Sequence, residues 1–72
     1  MTLKENVLKE IDTAKNRQII ALSMGLTENA IRQYIHRNDV KLTQYAPLQE
    51  IKKIMNVSTI HDLLNEIELV NG

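Results

Sequence analysis

Gly25 stands between two helical stripes near the middle of the chain, and the residues around it leave few ways to fold. Counting Arg17 as the first position, the fourth, fifth, eighth, ninth, tenth, fifteenth and eighteenth are Ile20, Ala21, Met24, Gly25, Leu26, Ile31 and Tyr34. Two helices that cross steeply through a three-residue turn impose such a set. Ala21 is small where the second helix passes close, Gly25 can take the positive φ of the turn, and the other five form a shared apolar seam. Asn16 can cap the first helix, which runs to about Ser23, and Thr27 can cap the second, which reaches about Arg37. Along that second helix Ala30, Ile31, Tyr34 and Ile35 share a face, while Glu28, Asn29, Arg32, Gln33 and His36 point elsewhere.

The flanking segments are also helical in rhythm. Thr2 lies three residues ahead of Glu5, the spacing of a capping box. Leu3, Val7, Leu8, Ile11 and Ala14 follow on one face, so a helix is predicted over about residues 3–14. Residues 38–46 read as a loop, with Asn38 as the preceding C-cap and Val40 and Leu42 plugged into the core. Pro47 suits a first helical turn, so the next helix begins between Thr43 and Pro47. Tyr45, Leu48, Ile51 and Met55 line its buried face. Asn56 breaks it, Val57 packs back, and Ser58 or Thr59 caps a fifth helix striped by Ile60, Leu63, Leu64 and Ile67. The expected fold is all-α, with five short helices around one core in a single domain over residues 1–72.

Composition agrees with this. A chain of 72 residues with two Tyr and neither Trp nor Phe must build an aliphatic core. Two Gly and one Pro are too few for the turns of an all-β fold. With no cysteine there is no disulfide framework and no thiolate metal site. No apolar run approaches the ~20 residues of a membrane span. The opening Met1-Thr-Leu-Lys-Glu-Asn is polar and carries an acid, unlike a secretion signal, so an intracellular protein is expected.

The seven-position set resembles the helix-turn-helix of the Cro and lambda-repressor family. Downstream, the segment from Leu48 to Leu64 looks like that family's fourth and fifth helices, including the break before Val57 and the paired leucines. The similarity covers almost the whole chain. It implies a five-helix lambda-repressor-like DNA-binding domain whose third helix enters the major groove of double-stranded operator DNA. Carried onto this sequence, the base-reading candidates are Glu28, Asn29, Arg32 and Gln33. Arg32 can fork onto guanine, Asn29 or Gln33 can pair with adenine, and Glu28 can accept from cytosine. Arg17, Gln18 and Thr27 stand where the family contacts phosphates, and His36, Arg37 and Lys41 extend that edge. Free-standing family domains of this length look like small regulators of phage lysis–lysogeny switches, working in the cytoplasm of a bacterial host cell against a lysogenic repressor.

Charge bears on the partner. Nine basic and nine acidic residues give zero formal charge, but the distribution is uneven. Residues 15–41 carry a balance of +3 and residues 54–72 a balance of −3. A cationic face of that size implies few phosphate contacts and a gently salt-dependent affinity, so a homodimer or a protein partner is expected. Ile19 and Leu22 stand where the family usually exposes polar residues, and their spacing places them in one patch. They either pack on the first helix or form an apolar protein interface. Leu69 and Val70 are a second candidate interface, for homodimerisation.

Two readings follow from the resemblance. A Cro-like counter-repressor would hold operator DNA through the third helix. An anti-repressor of the modulator-of-repression type would bind the phage repressor protein and mask its DNA-reading surface. An antitoxin or plasmid copy-number regulator uses the same domain. Catalysis finds no foothold: His36 and His61 are isolated, there is no Gly-rich phosphate loop or His-Glu-x-x-His pattern, and no paired carboxylates sit in a pocket motif. No enzyme activity, cofactor, metal, membrane association or small-molecule substrate is expected.

Overall fold

A computed structural model describes residues 2–65. Among these residues are four α-helices: α1 (Glu5–Ile11), α2 (Ala14–Met24), α3 (Glu28–Arg37) and α4 (Tyr45–Met55). Two 3-10 turns, Val40–Thr43 and Ile60–Leu63, complete the set. The core is aliphatic, as the composition requires. Val7 and Ile11 of α1, Ile20 and Ala21 of α2, Ile31 and Ile35 of α3, and Leu48 and Ile51 of α4 are buried together. Leu3, Leu42 and Leu63 close it from the connecting segments. Every residue of this cluster is apolar, and among the described residues no polar or charged one is buried.

The turn between α2 and α3 carries the expected glycine and cap. Gly25 ends α2 at φ 69° and ψ 31°, in the left-handed region, and the Leu26 amide donates to the Ala21 carbonyl at 2.9 Å. Thr27 then starts α3, its hydroxyl accepting from the Ala30 amide at 3.1 Å. A Cβ built on Gly25 would meet nothing within 4 Å, so only the backbone conformation demands glycine there. Gly25→Ala should therefore lower the stability by about 1 kcal/mol and Gly25→Asn by less, read as shifts in urea midpoint at unchanged m-value. A loss as large as that of a core truncation would mean that the side chain at position 25 meets atoms after all.

Several local expectations are corrected. The first helix is shorter than residues 3–14. Thr2 forms no capping box, because its carbonyl accepts from the Asn65 amide at 2.8 Å and its hydroxyl from the Asn65 side chain at 3.0 Å. Leu3 instead pairs antiparallel with Leu64, and the Lys4 amide donates to the Leu63 carbonyl at 2.9 Å. That pairing holds Leu64 extended, so Ile60–Leu63 is a single 3-10 turn where a fifth α-helix was expected. Asn38, left-handed at φ 51°, ends α3 as expected. Its side chain also accepts from the Leu3 amide (3.3 Å) and donates to the Leu3 carbonyl (3.2 Å), anchoring the N-terminal segment.

The cap of α2 is Thr13, whose hydroxyl accepts from the Asn16 amide at 3.2 Å. Asn16 lies within the first turn and donates to the Glu10 carbonyl at 3.0 Å, tying α1 to α2. Ala14, placed on the apolar face of the first helix, is the exposed first residue of α2. Leu26 is 39% exposed rather than sealed in the seam. Val40 opens the 3-10 turn that carries Leu42 inward, and remains exposed itself. Tyr45 is 79% exposed because it opens α4, ahead of the packed Pro47 and Leu48.

Candidate nucleic-acid interface

α3 is seated by Ile31 and Ile35, both buried, which fixes what its other sides present. Asn29, Arg32, Gln33, His36 and Arg37 are all exposed. Arg32, Gln33, His36 and Arg37 line one shallow groove of about 430 Å³ along the helix. Of the four residues expected to read bases, Asn29, Arg32 and Gln33 thus stand on the open surface of α3. Gln18, on α2, and Thr27, the last residue before α3, are exposed near the same end of α3.

Glu28 and Arg17 are arranged differently. The Arg17 side chain is only 12% exposed and lies between two carboxylates. Its Nη1 is 2.6 Å from Asp12 Oδ1 and its Nε is 2.9 Å from Glu28 Oε2. The same Glu28 oxygen is 3.6 Å from Arg32 Nη2, one helical turn further along α3. An alternating row of charges therefore runs from the end of α1, through α2, to the outer side of α3. The hydrogen bond from Arg17 holds the Glu28 carboxyl below its ordinary value, and the bond to Glu28 in turn raises Arg17 above its own.

The other end of α3 carries a second cluster. Arg37 Nη2 is 2.8 Å from Asp39 Oδ2, and Asp39 Oδ1 accepts from the Lys41 amide at 2.9 Å. That backbone bond, followed by Arg37, holds the Asp39 carboxyl below its ordinary value. The Arg37 guanidinium and the Lys41 ammonium each lie 5.4 Å from the centre of the Tyr34 ring, within cation–π range. Sequence reasoning placed Tyr34 in the apolar seam, where it does pack, half-buried. It missed the cationic cover of the ring, for which the three-residue spacing of Tyr34 and Arg37 on one helix was the only local signal. Asp12 was also missed, since its partner is five residues away and in another helix.

Both carboxyls are depressed, so the sign of their pH effect is fixed. Their contribution is complete above the ordinary values of 4.5 for Glu28 and 3.8 for Asp39, and it is lost as the pH falls through the lower folded-state values. Urea midpoints should therefore fall as the pH drops below the ordinary carboxylate range, and the combined variant Glu28→Gln, Asp39→Asn should flatten that slope. An unchanged slope in the variant would assign the acid sensitivity to other carboxylates.

The apolar interface candidates separate. Leu22 is 84% exposed and borders a depression of about 320 Å³ with Gln18, Ala21, Leu26 and Glu28. Ile19 is half-buried and lies in a different groove, beside Glu10, Lys15, Glu50, Lys53 and Ile54. The two side chains expected to share one patch therefore line two. Leu69 and Val70 lie outside the described residues. Among the described residues no group of His or acidic side chains is placed to hold a metal ion, and no helix is long and apolar enough to cross a membrane. Comparison with protein-family models, with curated proteins and with solved structures finds no match for this chain.

Proposed function

We propose that this chain is a sequence-specific regulator of transcription, of the kind that works against a lysogenic repressor in a phage lysis–lysogeny switch. The observation that carries the reading is α3 itself: a helix seated by Ile31 and Ile35 on the core and carrying Asn29, Arg32, Gln33, His36 and Arg37 outward. Ten residues make a rod about 15 Å long, which a major groove about 12 Å wide admits. In that pose Arg32 forks onto a guanine and Asn29 or Gln33 onto an adenine. Gln18 and Thr27 meet phosphates at the start of α3, and His36, Arg37 and Lys41 at its end. Arg17 supports the helix through Glu28 and Asp12 and joins a phosphate only by leaving them. Occupancy of the operator then blocks the promoter.

One observation favours a second reading. Leu22, with Leu26 beside it, is a large apolar side chain in water on the outer side of α2. An anti-repressor would use such a patch to cover the repressor protein, without reading DNA itself. An antitoxin or plasmid regulator differs from both in having a toxin gene as its neighbour.

The test is fluorescence anisotropy with duplex DNA from upstream of the protein's own gene, beside a scrambled duplex, at two salt concentrations. Sub-micromolar binding that prefers the native duplex and weakens with salt supports the DNA reading. Equal or absent binding overturns it in favour of the repressor-binding one. Leu22→Asp then reports on that second reading, because the site is so exposed that stability should change by no more than about 0.5 kcal/mol. Loss of a repressor complex in a variant that stays folded assigns the contact to Leu22.

A further inference from the structure

We propose that Glu28 is a positioning residue that aims Arg32 at its base, rather than a reader of bases in its own right. This rests on the DNA-binding reading above. One carboxylate oxygen, Glu28 Oε2, lies between two guanidiniums, at 2.9 Å from Arg17 Nε and 3.6 Å from Arg32 Nη2. The two cations are not equivalent. Arg17 is 12% exposed and is also held at 2.6 Å by Asp12, whereas Arg32 is 59% exposed and has only Glu28 as an ion-pair partner among the described residues. The Arg17 side is the fixed end of the row and the Arg32 side the free end.

Two consequences follow from general chemistry. A guanidinium that is already restrained loses fewer rotamers when it docks, and its planar fork must arrive in a defined orientation to pair with both acceptors of guanine. Glu28 supplies that restraint from one turn earlier on the same helix. Glu28 Oε2 is already held between Arg17 and Arg32, so an approach to a cytosine would have to use Oε1 without drawing Oε2 off Arg17, a cation only 12% exposed. Glu28 thus stays anchored on Arg17, and Arg32, the free end, reaches forward to the guanine.

The experiment is selection of the full-length protein on a pool of duplexes with a randomised central segment, followed by comparison of base-preference profiles. Arg32→Ala should erase a guanine preference at one position, on the order of tenfold. Glu28→Gln should weaken the same preference at the same position by about threefold, and should change nothing further when added to Arg32→Ala. Arg17→Gln, which removes the fixed end and leaves the carboxylate, should reproduce the Glu28→Gln profile. It also keeps the inference testable if Glu28→Gln fails to fold.

A Glu28→Gln variant that loses preference at a position of its own, still lost in the Arg32→Ala background, overturns the inference and makes Glu28 a base reader. A variant with lower thermal stability but an unaltered profile also overturns it, leaving Glu28 as a tether between α2 and α3. In both cases the DNA reading stands. If the wild-type chain enriches no sequence from the pool, the DNA reading fails and the inference fails with it.

Discussion

Ile31→Ala should cost about 2–5 kcal/mol, enough to leave a domain of this size largely unfolded at 37 °C. Ile31 is fully buried in α3, where the seam with α2 and its Ile20 forms. Truncation removes the transfer energy of three carbons and leaves a cavity in a close-packed aliphatic core. The magnitude matters because one core in a chain of 72 residues rarely supplies more than about 3–5 kcal/mol of net stability. Urea denaturation followed by circular dichroism measures it, with Leu22→Ala as control. Leu22 is almost wholly in water, so the control should shift stability by about 0.5 kcal/mol or less. Equal losses at the two sites would show that α2 is rotated so that Leu22 faces the core.

The contrast between Ile31 and Leu22 also shows what a sequence of this kind discloses. Ile20, Ala21, Gly25, Thr27 and Ile31 were legible because each answers a local demand: a face period, a close approach, a left-handed turn or a cap. Those demands act within a dozen residues and have few competing solutions. The misplaced features depend on partners far along the chain. Thr2 and Glu5 have the right spacing for a capping box, but Asn65, more than sixty residues away, takes both the Thr2 hydroxyl and carbonyl. Leu64 has the right spacing for a helical stripe, but pairing with Leu3 draws it into extended form. Tyr45 and Val40 are apolar at plausible core positions, and only the placement of the neighbouring elements leaves them in water. At the candidate site the same division holds. The exposed side of α3 follows from its period, whereas the commitment of Arg17 to Asp12 and Glu28 depends on how three helix ends meet.

The variant Arg32→Ala, Gln33→Ala should abolish sequence preference while leaving the fold intact. Each forked side-chain–base pair is worth about 1–3 kcal/mol of discrimination. Loss of two such pairs should therefore reduce the preference for native over scrambled duplex by roughly thirtyfold or more. Both side chains are exposed, and Arg32 contributes only a 3.6 Å ion pair to Glu28, so helix content and urea midpoint should stay close to wild type. What separates base reading from simple charge loss is the comparison between the two duplexes. If Arg32 contacts bases, removing it lowers binding to the native duplex far more than binding to the scrambled one. Lys41→Ala, at the phosphate edge beside Tyr34, should instead weaken both duplexes alike and reduce the salt slope by about one. A double variant that still distinguishes the duplexes would remove α3 from the role of reader. A double variant equal to wild type on every DNA, in a protein that loses its repressor complex when Leu22 becomes Asp, would place the function on the outer side of α2.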